Sequence, residues 1–228
     1  MKRLIVNADD LGASVGVNRG ILECHEQGIV TSASFMVTGA SAEDAAALAR
    51  ERPWLAVGLH WDVVGEDERD FPLDDREAVE EELERQLGRF RELLDRDPTH
   101  VDSHRHVHLE EPTRSWFHEL VAPLHVPIRG DGRISFVGGF YAQWEWGETD
   151  LRRVSVEALR RVLEEEVGHG WTELSCHPGY VTPDYEAMYL SEREAEVETL
   201  TSSEILDAID DLGIKLVSFA DYPVGGAA

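Results

Sequence analysis

Five side chains stand where chemistry could be done. Asp9 and Asp10 follow the apolar run Leu4-Ile5-Val6, and His60 follows Gly58-Leu59. His104 follows the run His100 to Ser103, and His177 follows Thr172 to Cys176. Imidazoles and a carboxylate together can hold a divalent cation with positions left open, and a further carboxylate and imidazole can move protons. Each residue alone has a plainer reading. Asp9-Asp10 could cap a helix, His60 could be a hydrogen-bonded structural histidine, and His177 before Pro178-Gly179 could belong to a turn. The run His104-Arg105-His106-Val107-His108 could be a surface tract, yet alternate imidazoles point one way if the segment is extended. The coincidence of strand-end positions is what argues for a site, because parallel α/β folds gather catalytic groups at the carboxyl ends of their strands. His25, His100, His118, His125 and His169 read as structural or surface residues.

The elements that must position these groups alternate. Leu4 to Asn7 reads as a buried strand, followed by a helix from about Ser14 with Val17, Ile21 and Cys24 on one face and Gly28 as its stop. Ile29 to Val37 and Trp54 to Leu59 read as strands, separated by an alanine-rich helix behind Ser41. Val79, Leu83, Leu87, Phe90 and Leu94 step by four, four, three and four, which is helical spacing. A short strand from His100 to Ser103, a helix to about Pro123 and a strand from Val126 to Arg129 come next. Residues 130–150 lack a period and read as a long loop. A helix through Val156, Leu159, Leu163 and Val167 leads to the strand Thr172 to Cys176. A final helix (Ile205, Ile209, Leu212) feeds Lys215 to Phe219. This order predicts an α/β fold: a (β/α) barrel-like single domain over residues 1–228, incomplete or distorted, with mostly parallel strands and a flexible tail at 221–228.

Composition narrows the partners. The chain has 228 residues, 42% hydrophobic and 29% charged, enough for a full core without staples. Its 46 acidic against 21 basic residues give a net charge of −25, which repels nucleic acid and anionic membranes. No apolar run reaches a membrane span or a signal-peptide core, so a soluble cytoplasmic protein is expected. Cys24 and Cys176 read as buried free thiols. The aromatic stretch 136–146 is a candidate contact surface for a homodimer.

Four segments taken together, Asn7-Ala8-Asp9-Asp10-Leu11-Gly12, Gly58-Leu59-His60, Thr99 to His108 and Cys176-His177-Pro178-Gly179, resemble the YdjC-like carbohydrate deacetylases. The resemblance extends to about residue 219 and takes in Gly28 to Ser32 and Arg193-Glu194-Ala195-Glu196. It implies a barrel-like deacetylase fold and one divalent metal ion, magnesium or zinc, bound by Asp10, His60 and His104. It also implies Asp9 as the base. His177 is then the candidate acid. Trp61, His106, His108, Arg129 and Tyr141 are candidates for contacting a small carbohydrate, with Trp144 and Trp146 as further stacking surfaces. Leu11 and Arg105 depart from the family pattern, which bears on substrate choice.

Mixed nitrogen and oxygen ligands suit zinc, manganese, nickel or iron, whereas magnesium usually takes more oxygen. The same ligand set could serve an iron oxygenase, a sugar isomerase or a metallophosphoesterase. A sugar-binding protein without catalysis would need no second carboxylate beside the ligands, and Asp9 argues against it.

Overall fold

The computed structural model describes residues 1–65, 70–145 and 147–223; Trp146 and the end of the expected tail, 224–228, lie outside the described residues. The strands are β1 (Lys2–Leu11), β2 (Ser32–Phe35), β3 (Ala56–Trp61), β4 (Val101–Ser103), β5 (Ser135–Val137), β6 (Gln143–Glu145), β7 (Glu148–Thr149), β8 (Gly170–Cys176) and β9 (Ile214–Leu216). The helices are α1 (Val15–Gln27), α2 (Ala42–Arg50), α3 (Arg76–Leu94), α4 (Thr113–Val121), α5 (Val156–Glu165), α6 (Ser191–Leu200) and α7 (Ser203–Asp211).

The main sheet runs β4-β3-β2-β1-β8-β5, with β9 beside the start of β1, and every pairing in it is parallel. Parallel neighbours need crossovers, and the helices that supply them cover the outer face. The result is the incomplete (β/α) barrel-like fold expected from the alternation: a curled half-barrel.

Strand pleating sorts the residues. Along β1, Leu4, Val6 and Ala8 face the main apolar core under the helices, while Ile5 joins a small inner cluster with Ala56, Ile134, Val217 and Phe219. The upper part of the concave side is polar: Asn7, Ser34, Asp102 and Glu173 are all buried there and bonded to one another or to Arg129. On β3, Val57, Leu59 and Trp61 belong to the outer core, so His60 takes the inner side. Gly58, two residues before it, faces the His100 ring, and a Cβ there would lie 2.5 Å from that ring.

Local signals behave as read for the long helices. Ser14 caps α1 by accepting from Val17 N at 3.1 Å. Val79, Leu83, Leu87, Phe90 and Leu94 form the buried face of α3. Ser41 stands before α2 without a side-chain capping bond. The expected strand Val126 to Arg129 shrinks to one bridge between Val101 and Ile128. The region read as loop contains β5 and the antiparallel pair β6–β7. Helix α6 was not expected; it buries Glu192, Arg193 and Glu196 together with Val197 and Leu200, so it shows no apolar stripe. Both cysteines are free and buried. Among the described residues no helix is long and apolar enough to cross a membrane.

Candidate active site

The carboxyl end of β1 contains an irregularity that matters. Regular pleating would send Asp9 and Asp10 to opposite faces. Instead the β1–β2 register shifts between Ala8 and Leu11, and Asp10 has a φ of 69°. A left-handed backbone at a non-glycine residue costs on the order of 1 kcal/mol or more. Here it brings both carboxylates to one cavity of about 300 Å³, shared with His60, His104, His106, Tyr141 and His177.

Asp10, His60 and His104 each offer one atom within 4.8 Å of the others. His60 Nε2 and His104 Nδ1 both lie 3.3 Å from Asp10 Oδ1. Among the described residues that buried oxygen has no hydrogen-bond partner. Two nitrogens converging on an unsatisfied carboxylate oxygen fit a single divalent cation. Asp102 Oδ1 lies 2.6 Å from His60 Nδ1 and accepts its proton, which leaves Nε2 turned toward Asp10. Burial opposes charge on His60, but Asp102 and Asp10 outweigh it and raise its pKa well above the usual imidazole value. Burial likewise opposes ionisation of Asp10, and Arg193, His104 and His60 overcome it, holding the carboxyl well below its usual range.

Asp9 sits behind this set in a fork. Arg129 Nη1 donates to Asp9 Oδ2 and Nη2 to Oδ1, each at 2.7 Å, and Asn7 Nδ2 donates to Oδ1 at 2.8 Å. The same guanidinium reaches Asp102 Oδ2 at 2.9 Å and Glu173 Oε1 at 2.7 Å. Asp9, His60 and Asp102 also come within ligand distance of one another, but Arg129 already supplies the positive charge between the two carboxylates. Burial would raise the Asp9 pKa, and Arg129 reverses that to a net lowering. For Glu173 burial prevails over Arg129, with Asp102 adding to it, and the pKa rises to about 7.

His177 Nε2 is 3.8 Å from Asp9 Oδ2. Burial pushes this imidazole down to about 4, so it is neutral at neutral pH. Its ring meets Tyr141 edge-on, with centroids 5.2 Å apart. Tyr141 in turn stacks on Tyr189 at 4.3 Å, and Tyr189 Oη accepts from Ala142 N at 3.0 Å and donates to Glu196 Oε1.

The structure thus brings together Asp9, Asp10, His60, His104, His106, Tyr141 and His177. Three expected sugar contacts lie elsewhere. Trp61 is in the outer core against Phe71 and Phe117, on the opposite side of β3 from His60. Arg129 has no exposed side chain to offer, being consumed by its three carboxylates. His108 is fully buried, paired with Ser103 Oγ at 2.5 Å and Arg129 O at 3.1 Å. The segment after β4 is not extended: His104–Leu109 is a 3-10 turn in which Arg105 and His106 have φ values of 52° and 56°. That fold-back sends His106 to the cavity and His108 inward. Trp144 is exposed and does not line the cavity. Arg193, Glu196 and Tyr189 are site residues that the sequence reading did not assign; the only signal was the Arg193 to Glu196 segment of the family resemblance.

A family model for YdjC-like proteins matches residues 3–211. A chitooligosaccharide deacetylase from Serratia marcescens is 32% identical over 260 aligned positions, covering 96% of this chain and 99% of that protein. A carbohydrate deacetylase from Brevibacillus brevis is 34% identical over 258, covering 96% and 99%. Among solved structures, a protein of Enterococcus faecalis V583 provisionally described as a cellobiose-phosphate cleavage protein superposes with a TM-score of 0.83 at 26% identity, covering 96% of this chain and 97% of that one.

Proposed function

The chain belongs to the YdjC-like protein family, and on that premise we propose that it is a metal-dependent deacetylase that hydrolyses the N-acetyl group of a small amino sugar or its oligomers. The observation that carries the reading is the pairing of Asp9 with His177 across 3.8 Å, directly beside the Asp10, His60 and His104 donor set. A binding protein would need the donor set at most, whereas amide hydrolysis needs a base for water and an acid for the amine.

A divalent cation held by Asp10, His60 and His104 would polarise the acetyl carbonyl and acidify a water. The chain's own residues do the rest. Asp9 is ionised, fixed by Arg129 and Asn7, and takes the water's proton at Oδ2. Its lowered pKa makes it a poor place to keep that proton. Neutral His177 receives it at Nε2 and delivers it to the departing nitrogen. Tyr141, braced by Tyr189, forms a flat wall on which a sugar ring can rest. Zinc suits the two-imidazole, one-carboxylate set better than magnesium. The protein acts in the cytoplasm as one catalytic domain on a small carbohydrate.

Metal analysis of the purified protein, with acetate release from N-acetylglucosamine oligomers, tests this. One equivalent of cation and acetate release lost on chelation are expected. Bound cation without acetate from any N-acetylated sugar would overturn the substrate half, and no bound cation would overturn the metal half.

A further inference from the structure

Helix α6 sends Arg193 into the site, where it bonds Asp10 as Arg129 bonds Asp9. Its guanidinium donates from all three nitrogens: Nη2 to Asp10 Oδ2 at 2.7 Å and to Tyr185 Oη at 3.4 Å, Nε to Tyr189 O at 2.9 Å and Nη1 to His177 O at 3.3 Å. The residue is buried, and its charge lies over the rings of Tyr185 and Tyr189. One turn later, Glu196 accepts from His177 N at 2.5 Å and from Tyr189 Oη. The N–H and the carbonyl of His177 are therefore both held by this one helix.

We propose that Arg193 is a positioning residue that makes Asp10 a one-oxygen ligand and, with Glu196, sets His177 relative to Asp9. The inference rests on the metal-site reading above. A free carboxylate can rotate and offer either or both oxygens to a cation. Arg193 occupies Oδ2, so Oδ1 alone is presented to the two imidazoles, which matches that oxygen's lack of any hydrogen bond. The alternative is that Arg193 merely neutralises a buried carboxylate. The two roles predict opposite signs. A positive charge at 2.7 Å from a metal ligand repels a cation, so charge alone would make its removal tighten metal binding. Loss of orientation would weaken it.

The test is Zn2+ affinity by chelator competition for the wild type, Arg193→Met, Arg193→Lys and Asp10→Asn, with melting curves for each. Arg193→Met is expected to bind Zn2+ about 10- to 100-fold more weakly despite the lost repulsion. Arg193→Lys keeps the charge but not the fork, and is expected to stay weak. At saturating Zn2+ both variants should show reduced kcat with little change in KM, because the His177 carbonyl has lost its donor. Arg193→Met binding as tightly as wild type or tighter, or Arg193→Lys restoring wild-type affinity, overturns the proposal. If Arg193→Met does not fold, the lysine variant decides alone. Wild type that binds no Zn2+, or Asp10→Asn that binds it normally, would instead overturn the metal site itself.

Discussion

Arg129 grips Asp9 through two parallel hydrogen bonds of 2.7 Å, with the guanidinium fully buried and the carboxylate nearly so. The grip fixes the carboxylate's plane and, against the pull of burial, keeps it ionised. Both Asp9 oxygens are thus engaged by Arg129, and the carboxylate carries the charge that a proton acceptor needs. Asp9→Asn is expected to keep one equivalent of cation and to lose activity by about 10²- to 10⁴-fold. Metal content and acetate release on the same preparation check this; wild-type turnover with metal bound would remove Asp9 from the mechanism.

Removing the other partner should act on stability first. Arg129→Met would leave Asp9, Asp102 and Glu173 buried together with their shared cation gone. Breaking a buried ion cluster in this way costs about 3–5 kcal/mol. Urea denaturation should show that loss, and the loss should shrink at acid pH as the carboxylates take up protons. An unchanged denaturation midpoint would mean that the three carboxylates find another compensation.

Trp61 and Tyr141 should separate cleanly. Trp61 is packed between Phe71 and Phe117 in the outer core, so Trp61→Ala is expected to cost about 3–5 kcal/mol of stability. Among molecules that remain folded, KM should hardly move. Tyr141 lines the cavity, and Tyr141→Ala should raise KM with a small change in stability. Denaturant midpoints and steady-state kinetics on both variants distinguish the two; the reverse pattern would show that Trp61 reaches the substrate.

The same strand shows how far the sequence could be read. His60 and the long helices were legible because period two and period 3.6 survive in sequence; α3 buries the very residues its spacing selects. Trp61 was misplaced as a sugar contact although the same period sends it outward, since a neighbour of an inward His60 must point away on a regular strand. Asp10 is the opposite case. Its inward position depends on a bulge and a positive φ that no pattern of residue types announces. The turn at Arg105 and His106 broke the alternation on which His108 had been placed. Helix α6 was hidden for an energetic reason: it buries charged side chains bonded to the site, so its inner face carries Arg193 and Glu196 where a hydrophobic stripe would normally be. Buried charged side chains suppress the periodicity by which an element is recognised.

His60 must give up a proton before it can hold a cation. Burial works against charge on the ring, but Asp102 at 2.6 Å and Asp10 at 3.3 Å prevail, and its pKa lies well above the usual value. The metal-free folded chain therefore holds this proton to higher pH than the unfolded chain, which begins to lose it near about pH 6.5. A folded pKa above the unfolded one gives a stabilisation that is fully present below about pH 6.5 and lost as pH rises through the folded pKa. Metal affinity runs the other way. It should strengthen with rising pH until the ring is neutral, with proton release accompanying cation binding below that point. Calorimetry in buffers of different ionisation enthalpy counts that proton. Asp102→Asn removes the largest attraction that holds it, so proton release and the pH slope should both fall; a slope that the substitution leaves unchanged would place the proton under another group's control.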